Sequence, residues 1–267
     1  MLSLFKSKPL VQTKSLPGSW RLLRQSLGQL RRHWRPLVGI VVIVAAPVSL
    51  LNASAAANPD SSLAAYGSLA TVVMNAALIW SIVELHQGHP VTLQRAYYSG
   101  TAAFVRFTLV ALVLALQLVP LAIGAVVYAY GTSGPAVATP PERLLLGLIC
   151  LLLALPTLYW MSRSVFSLYI VQQAGMTPVR ALRQSAAIVR GQTVAVARRL
   201  IVLAIIAVTA LTLPALVLAV AVGPNQPAWL VALPQLAASL VLLPVTADYG
   251  YRLYLALVKS QNRQTNE

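Results

Sequence analysis

The chain has 267 residues, of which 58% are hydrophobic and 9% charged, against roughly 25% charged in an ordinary soluble domain. That balance excludes a soluble globular protein and reads as an integral membrane protein. The net charge of +15 would suggest nucleic acid in a soluble chain, but here the charges sit within a turn or two of apolar runs, where they serve as membrane anchors; no nucleic-acid partner is expected.

In chain order, residues 1–18 read as a basic tail carrying Lys6, Lys8 and Lys14. The first long apolar run comes too late and is too long for the core of a cleavable signal, so the start reads as retained. Ser19 is the predicted N-cap of an amphipathic helix with Trp20, Leu23, Leu27, Leu30 and Trp34 at three- and four-residue steps. Arg21, Arg24, Arg31, Arg32 and Arg35 lie mostly off that stripe. Apolar runs follow at 37–56 and 63–83. Thr92 is the predicted cap of a second amphipathic helix with Leu93, Ala96, Tyr97, Phe104 and Phe107, ahead of runs at 107–130 and 144–162. Thr177 as cap and Pro178 at the first helical position open a third, with Val179, Leu182, Val189 and Val196 along one side, ahead of runs at 200–222 and 228–247. Residues 259–267 read as a polar tail.

None of these six runs contains Lys, Arg, Asp or Glu, and each approaches or exceeds the roughly 20 apolar residues that cross a hydrocarbon core. Backbone groups in lipid must be satisfied within the segment, and a barrel would show alternation, so the predicted fold is all-α with six transmembrane helices. Short outer connectors with Asn58, Pro59, Asp60, Gly134, Pro135, Pro140, Pro224 and Pro227 pair the spans as three hairpins. The units run over about 19–86, 87–175 and 176–258, within one membrane domain over 19–258. Nineteen of the 20 Lys and Arg residues fall on the tails and the longer connections, the exception being Arg143. The positive-inside rule therefore puts both termini in the cytoplasm. Leu-Arg-Gln-Ser occurs at 23–26 and again at 182–185, and Pro47, Pro120 and Pro214 fall within successive odd-numbered spans. Together these suggest a threefold internal repeat.

The segment MTPVRALRQSAAIVRG, following ALPTLYWMSRSVFSLYIVQQAG, resembles the membrane domain fused to some bacterial glycerophosphoryl diester phosphodiesterases, and also YciC-like bacterial inner-membrane proteins. The shared motif is matched by Pro178, Ala181, Leu182, Ser185 and Gly191. The resemblance implies a six-span bacterial cytoplasmic-membrane protein. It carries no catalytic residue, because phosphodiesterase chemistry belongs to a soluble barrel that this sequence lacks. The same stretch is similar to the ATPase-docking loop of importer permeases, with Ser185, Ala186, Ala187, Gly191, Ile201 and Leu203 in register. It departs from that loop at its acidic position, held by Ser185, and at its closing proline, held by Ala204. That similarity implies the alternative of a transport component, either an ATPase-coupled permease subunit or a secondary carrier.

Among other constellations, Arg163 and Asp248 lie at the inner ends of spans 4 and 6, where they form a candidate intramembrane pair; otherwise Asp248 pairs with Arg252 one turn on. Glu84, His86 and His89 superficially suggest a metal site, but Gly88 and Pro90 mark a turn and no metal is expected. Asn52, Asn75, Gln117 and Gln235 are expected to hydrogen-bond between helices, and Cys150, the only cysteine, to pack. Five acidic residues and three histidines give no convergent catalytic set, so neither an enzyme nor a cofactor is expected. The candidate functional surface is basic and aromatic: Trp20, Arg24, Arg31 and Arg32 on the first amphipathic helix, and Arg180, Arg183 and Arg190 on the third. Anionic lipid headgroups and a membrane or peripheral protein are the expected partners.

Overall fold

The computed structural model describes residues 17–55, 61–133, 139–173, 175–222 and 228–265, and these are all-helical, with no strand among them. The tail lysines and most of the outer turn residues lie outside the described residues. Ten helices follow in order: α1 Ser19–Arg32, α2 Trp34–Ala55, α3 Ser61–His86, α4 Leu93–Thr101, α5 Phe104–Ser133, α6 Pro140–Ser164, α7 Ser167–Ile170, α8 Pro178–Val189, α9 Thr193–Val222 and α10 Ala228–Thr265.

Among the described residues, four stretches are long and apolar enough to cross a membrane: Tyr66–His86, Phe104–Thr132, Pro140–Ile170 and Thr193–Leu218. A shorter apolar stretch, Trp34–Ser49, opens α2. The expected first and last spans both fall partly on residues whose side chains are not described. Prolines inside α2, α5, α6, α9 and α10 do not end those helices. At 38 residues, α10 is about 57 Å long. It outruns a hydrocarbon core of about 30 Å and carries the chain on as helix through most of the polar tail.

Local chemistry sets the short helices. Thr92 and Thr177 cap α4 and α8, their hydroxyls accepting from the Arg95 and Arg180 backbone N–H groups at 3.4 Å. For α1 the expectation was off by one. Gly18 holds the extended cap position, with no side-chain bond, and Ser19 is already helical. The third amphipathic helix also stops earlier than its periodicity suggests. Arg190 leaves the helical region (ψ 125°), Gly191 takes φ +87°, a conformation that costs glycine nothing, and Val196 belongs to α9.

Packing is concentrated at the basic end. The buried apolar core draws on Leu37, Ile40 and Val41 where α2 begins, Ala76 to Ile82 where α3 ends, Phe107 and Val110 in α5, Phe166 to Val171 around α7, and Val245 to Leu257 in α10. The opposite half exposes leucine and valine freely along α5, α6 and α9. So large an apolar surface is what lipid covers. Helix contacts follow a cyclic order: α1 and α2 pack on α10, α4 and α5 on α3, α8 and α9 on α6. Each short helix, and the long helix after it, thus leans on the long helix preceding the pair, and the last such support returns to the first pair.

Small residues allow that approach. A Cβ on Gly100 of α4 would lie 2.6 Å from the Ala77 Cα of α3. On α8, Ala181 and Ser185 are buried, and the Ser185 hydroxyl donates to the Arg163 carbonyl of α6 at 2.6 Å. The polar residues within spans divide. Gln117 of α5 accepts from the Ser164 hydroxyl of α6 at 2.5 Å. Asn75, expected to bond between helices, instead donates to Thr71 in its own helix. Cys150 packs where α5 crosses α6, with its Cα 3.2 Å from where a Cβ on Gly124 would stand.

Candidate functional site: the basic end

The amphipathic helices turn out to have two apolar faces. In α1 the residues facing the protein are Leu22, Leu23 and Ser26, while Trp20 and Trp34, at the ends of the expected stripe, are 76% and 55% exposed. The stripe seen in the sequence is therefore split: Leu23 and Leu30 pack on the protein, while Trp20, Leu27 and Trp34 face outward, near the exposed Arg21, Arg24, Arg31 and Arg32. In α8 the inward face is Ala181, Ser185, Ile188 and Val189; Leu182 is half-buried, and Arg180, Arg183 and Arg190 are exposed. Four of the five residues of the expected motif thus have structural roles here. Pro178 starts the helix, Ala181 and Ser185 seat it, and Gly191 turns the chain into α9.

Asp248 and Arg163 are not brought together. Asp248, only 2% exposed, receives the Arg252 Nε–H at 2.6 Å and faces His86 Nε2 at 3.4 Å. The i, i+4 spacing on α10 makes Arg252 the cheaper partner, because it needs no second helix to hold the distance. Arg163 instead donates to the Tyr159 hydroxyl at 2.8 Å and lies over the same ring at 5.3 Å. His86 Nδ1 lies 2.9 Å from the Ile82 carbonyl of its own helix. Arg252 also reaches Gln29 of α1 at 3.5 Å, and the buried Arg199 of α9 donates to the Pro17 carbonyl just ahead of α1 at 3.2 Å. The buried carboxylate thus sits where α1, α3 and α10 meet.

Around it stands an aromatic cluster of His86, Tyr169, Tyr251, Tyr254 and Phe166, with ring centroids 4.9 to 6.4 Å apart. Burial raises the phenol pKa of Tyr251 and Tyr254, with Tyr254 adding to the effect on Tyr251. Burial also raises that of Tyr97 on α4, whose hydroxyl donates to the Ile40 carbonyl of α2 at 2.6 Å. Glu84 and His89 pair with each other at 2.6 Å on the surface, while His86 turns inward. The three therefore do not converge on one point.

Two grooves open at this end. One, of about 520 Å³, lies between the α1–α2 junction and the α3–α4 loop and presents Arg32, His33 and His89. The other, of about 680 Å³, lies between α6, α8 and the start of α9, and is lined by Tyr159, Arg163, Arg183, Arg190, Gly191 and Thr193, among others. Sequence reasoning identified Arg163, Arg183 and Arg190 but not that they share a groove. It missed Tyr159, whose four-residue spacing from Arg163 was the available signal, and His86, whose partner lies on another helix with no local signal at all. No protein family model, curated protein or solved structure matches this chain.

Proposed function

We propose that the protein is a non-enzymatic, six-span protein of the bacterial cytoplasmic membrane, three hairpins with both termini inside, whose basic end binds anionic lipid headgroups and so organises or recruits an envelope partner. The observation that carries this reading is the set of exposed arginines on α1 and along and just after α8, with exposed tryptophans beside the first group. Arg24, Arg31, Arg32, Arg180, Arg183 and Arg190 are all exposed, with no carboxylate at ion-pair distance among the described residues. Trp20 and Trp34 stand beside the first set. Arginine near an anionic leaflet gains about 1 kcal/mol per charge, and tryptophan concentrates at the headgroup level. The likeness of the α8 segment to the phosphodiesterase membrane domains supports the fold and orientation of this proposal, not an activity.

The test uses the full chain with Trp34 as the one tryptophan retained, in bilayers where either the anionic or the zwitterionic lipid is brominated. Stronger quenching by the brominated anionic lipid, fading as salt rises, is the expected result. Equal quenching by the two lipids at low salt would overturn the reading.

A further inference from the structure

We infer that the groove between α6, α8 and the start of α9 is a binding site for a phosphate group, and that a phospholipid headgroup supplies it. The inference rests on the lipid-binding reading above and narrows it to one site. Three guanidinium groups, from Arg163, Arg183 and Arg190, border a single groove. No carboxylate lies at ion-pair distance from any of them among the described residues. Like charges gathered without a counter-ion repel, and a bound anion relieves that repulsion; guanidinium forks match phosphate oxygens in particular.

The groove is also held in place. Arg163 is braced by the Tyr159 hydroxyl and ring, and Ser185 ties α8 to the Arg163 carbonyl. Arg183 lies on α8 and Arg190 is the residue that caps its C-terminal end, about two helical turns further on. Beside them Thr193 opens the 30-residue α9, whose first-turn N–H groups have no intrahelical acceptor and add to the preference for an anion. The volume of about 680 Å³ falls within the usual range for small-ligand sites, roughly 300–1,000 Å³.

The surface below the groove favours a lipid as the source of the phosphate. Leu148, Leu152 and Leu155 of α6, 61%, 65% and 59% exposed, lead at four- and three-residue steps to Tyr159 and then Arg163. That apolar stripe offers acyl chains a path along the helix directly beneath the arginines. Tyr159 and Trp160, each about half exposed, sit between the two regions as headgroup-level aromatics do.

The experiment is native mass spectrometry of the full chain from phosphatidylcholine nanodiscs containing a small fraction of phosphatidic acid. Wild type is expected to retain one phosphatidic acid in preference to phosphatidylcholine. Arg183→Gln with Arg190→Gln is expected to lower that retention about tenfold or more, as loss of charge-assisted hydrogen bonds requires. Arg95→Gln with Lys259→Gln, which removes the same charge from exposed positions outside the groove, is expected to leave it unchanged. Far-UV circular dichroism of both double variants checks that the helices are intact. Equal losses in the two double variants would overturn the groove while leaving general binding by the basic end in place. No preference for phosphatidic acid in wild type would overturn both. Inorganic phosphate, titrated against lipid-depleted protein, separates the sources: binding that Arg183→Gln with Arg190→Gln abolishes, in protein that retains no phosphatidic acid, would keep the phosphate chemistry and reject the lipid.

Discussion

Asp248→Asn probes the packed basic end most sharply, because it changes charge with almost no change in shape. The carboxylate is 2% exposed and faces Arg252 and His86, which retain 22% and 15% exposure. Removing one member of a buried ion pair costs about 3–5 kcal/mol. Since Arg252 is partly hydrated, the lower end applies, about 3 kcal/mol, which shifts the unfolding equilibrium about 100-fold. The assay is unfolding of the full chain by SDS in mixed micelles, followed by tryptophan fluorescence and far-UV circular dichroism. Arg252→Gln should cost more than Asp248→Asn, because it leaves the buried carboxylate without its guanidinium, whereas Arg252 left alone is partly hydrated. The double variant should fall short of the sum by more than about 1 kcal/mol, as coupled neighbours do. A variant that unfolds with wild type to within about 0.5 kcal/mol, or strict additivity of the two changes, would refute a buried carboxylate joining α1, α3 and α10.

Gly100→Ala and Gly28→Ala should move stability in opposite directions. At Gly100 the added Cβ meets Ala77 backbone and overpacking costs about 1–3 kcal/mol; at exposed Gly28 nothing lies within 4 Å and helix propensity gains about 0.5–1 kcal/mol. The same SDS titration reads both, and matching signs would contradict the contact between α4 and α3. Tyr97, Tyr251 and Tyr254 should titrate above the usual phenol range when followed at 295 nm. Their raised folded-state values contribute stability that is complete below the unfolded phenol pKa of about 10. That contribution is lost as pH rises through the folded values. Normal titration of all three in the intact protein would contradict their burial.

Much of the architecture is written locally. Uninterrupted apolar runs specify the long helices, and Thr92 and Thr177 specify two helix starts, because these signals act within a turn or two of chain. Other features depend on what a residue meets across space. The apolar stripe of α1 was legible, but the packed face is rotated from it by its contact with α10: Leu23 and Leu30 are shared, while Leu22 and Ser26 carry no sign of burial in the sequence. The end of α8 follows from Gly191 adopting positive φ, a freedom that glycine has everywhere and uses only in some places. The arginine groove was half legible: the charges were visible on α8, while Arg163 joins them only because Ser185 seats α8 against α6. Pairing Arg163 with Asp248 presumed a depth match, but each found a partner four residues away on its own helix, Tyr159 and Arg252.

The central claim, that the basic end holds anionic lipid, is tested most directly by gentle extraction of the full chain from its native membrane, followed by native mass spectrometry of what stays bound. Retained anionic phospholipid at defined stoichiometry, with no ATPase, is the result this account predicts. A stoichiometric soluble ATPase with no retained anionic lipid would contradict it and make residues 185–203 a coupling loop.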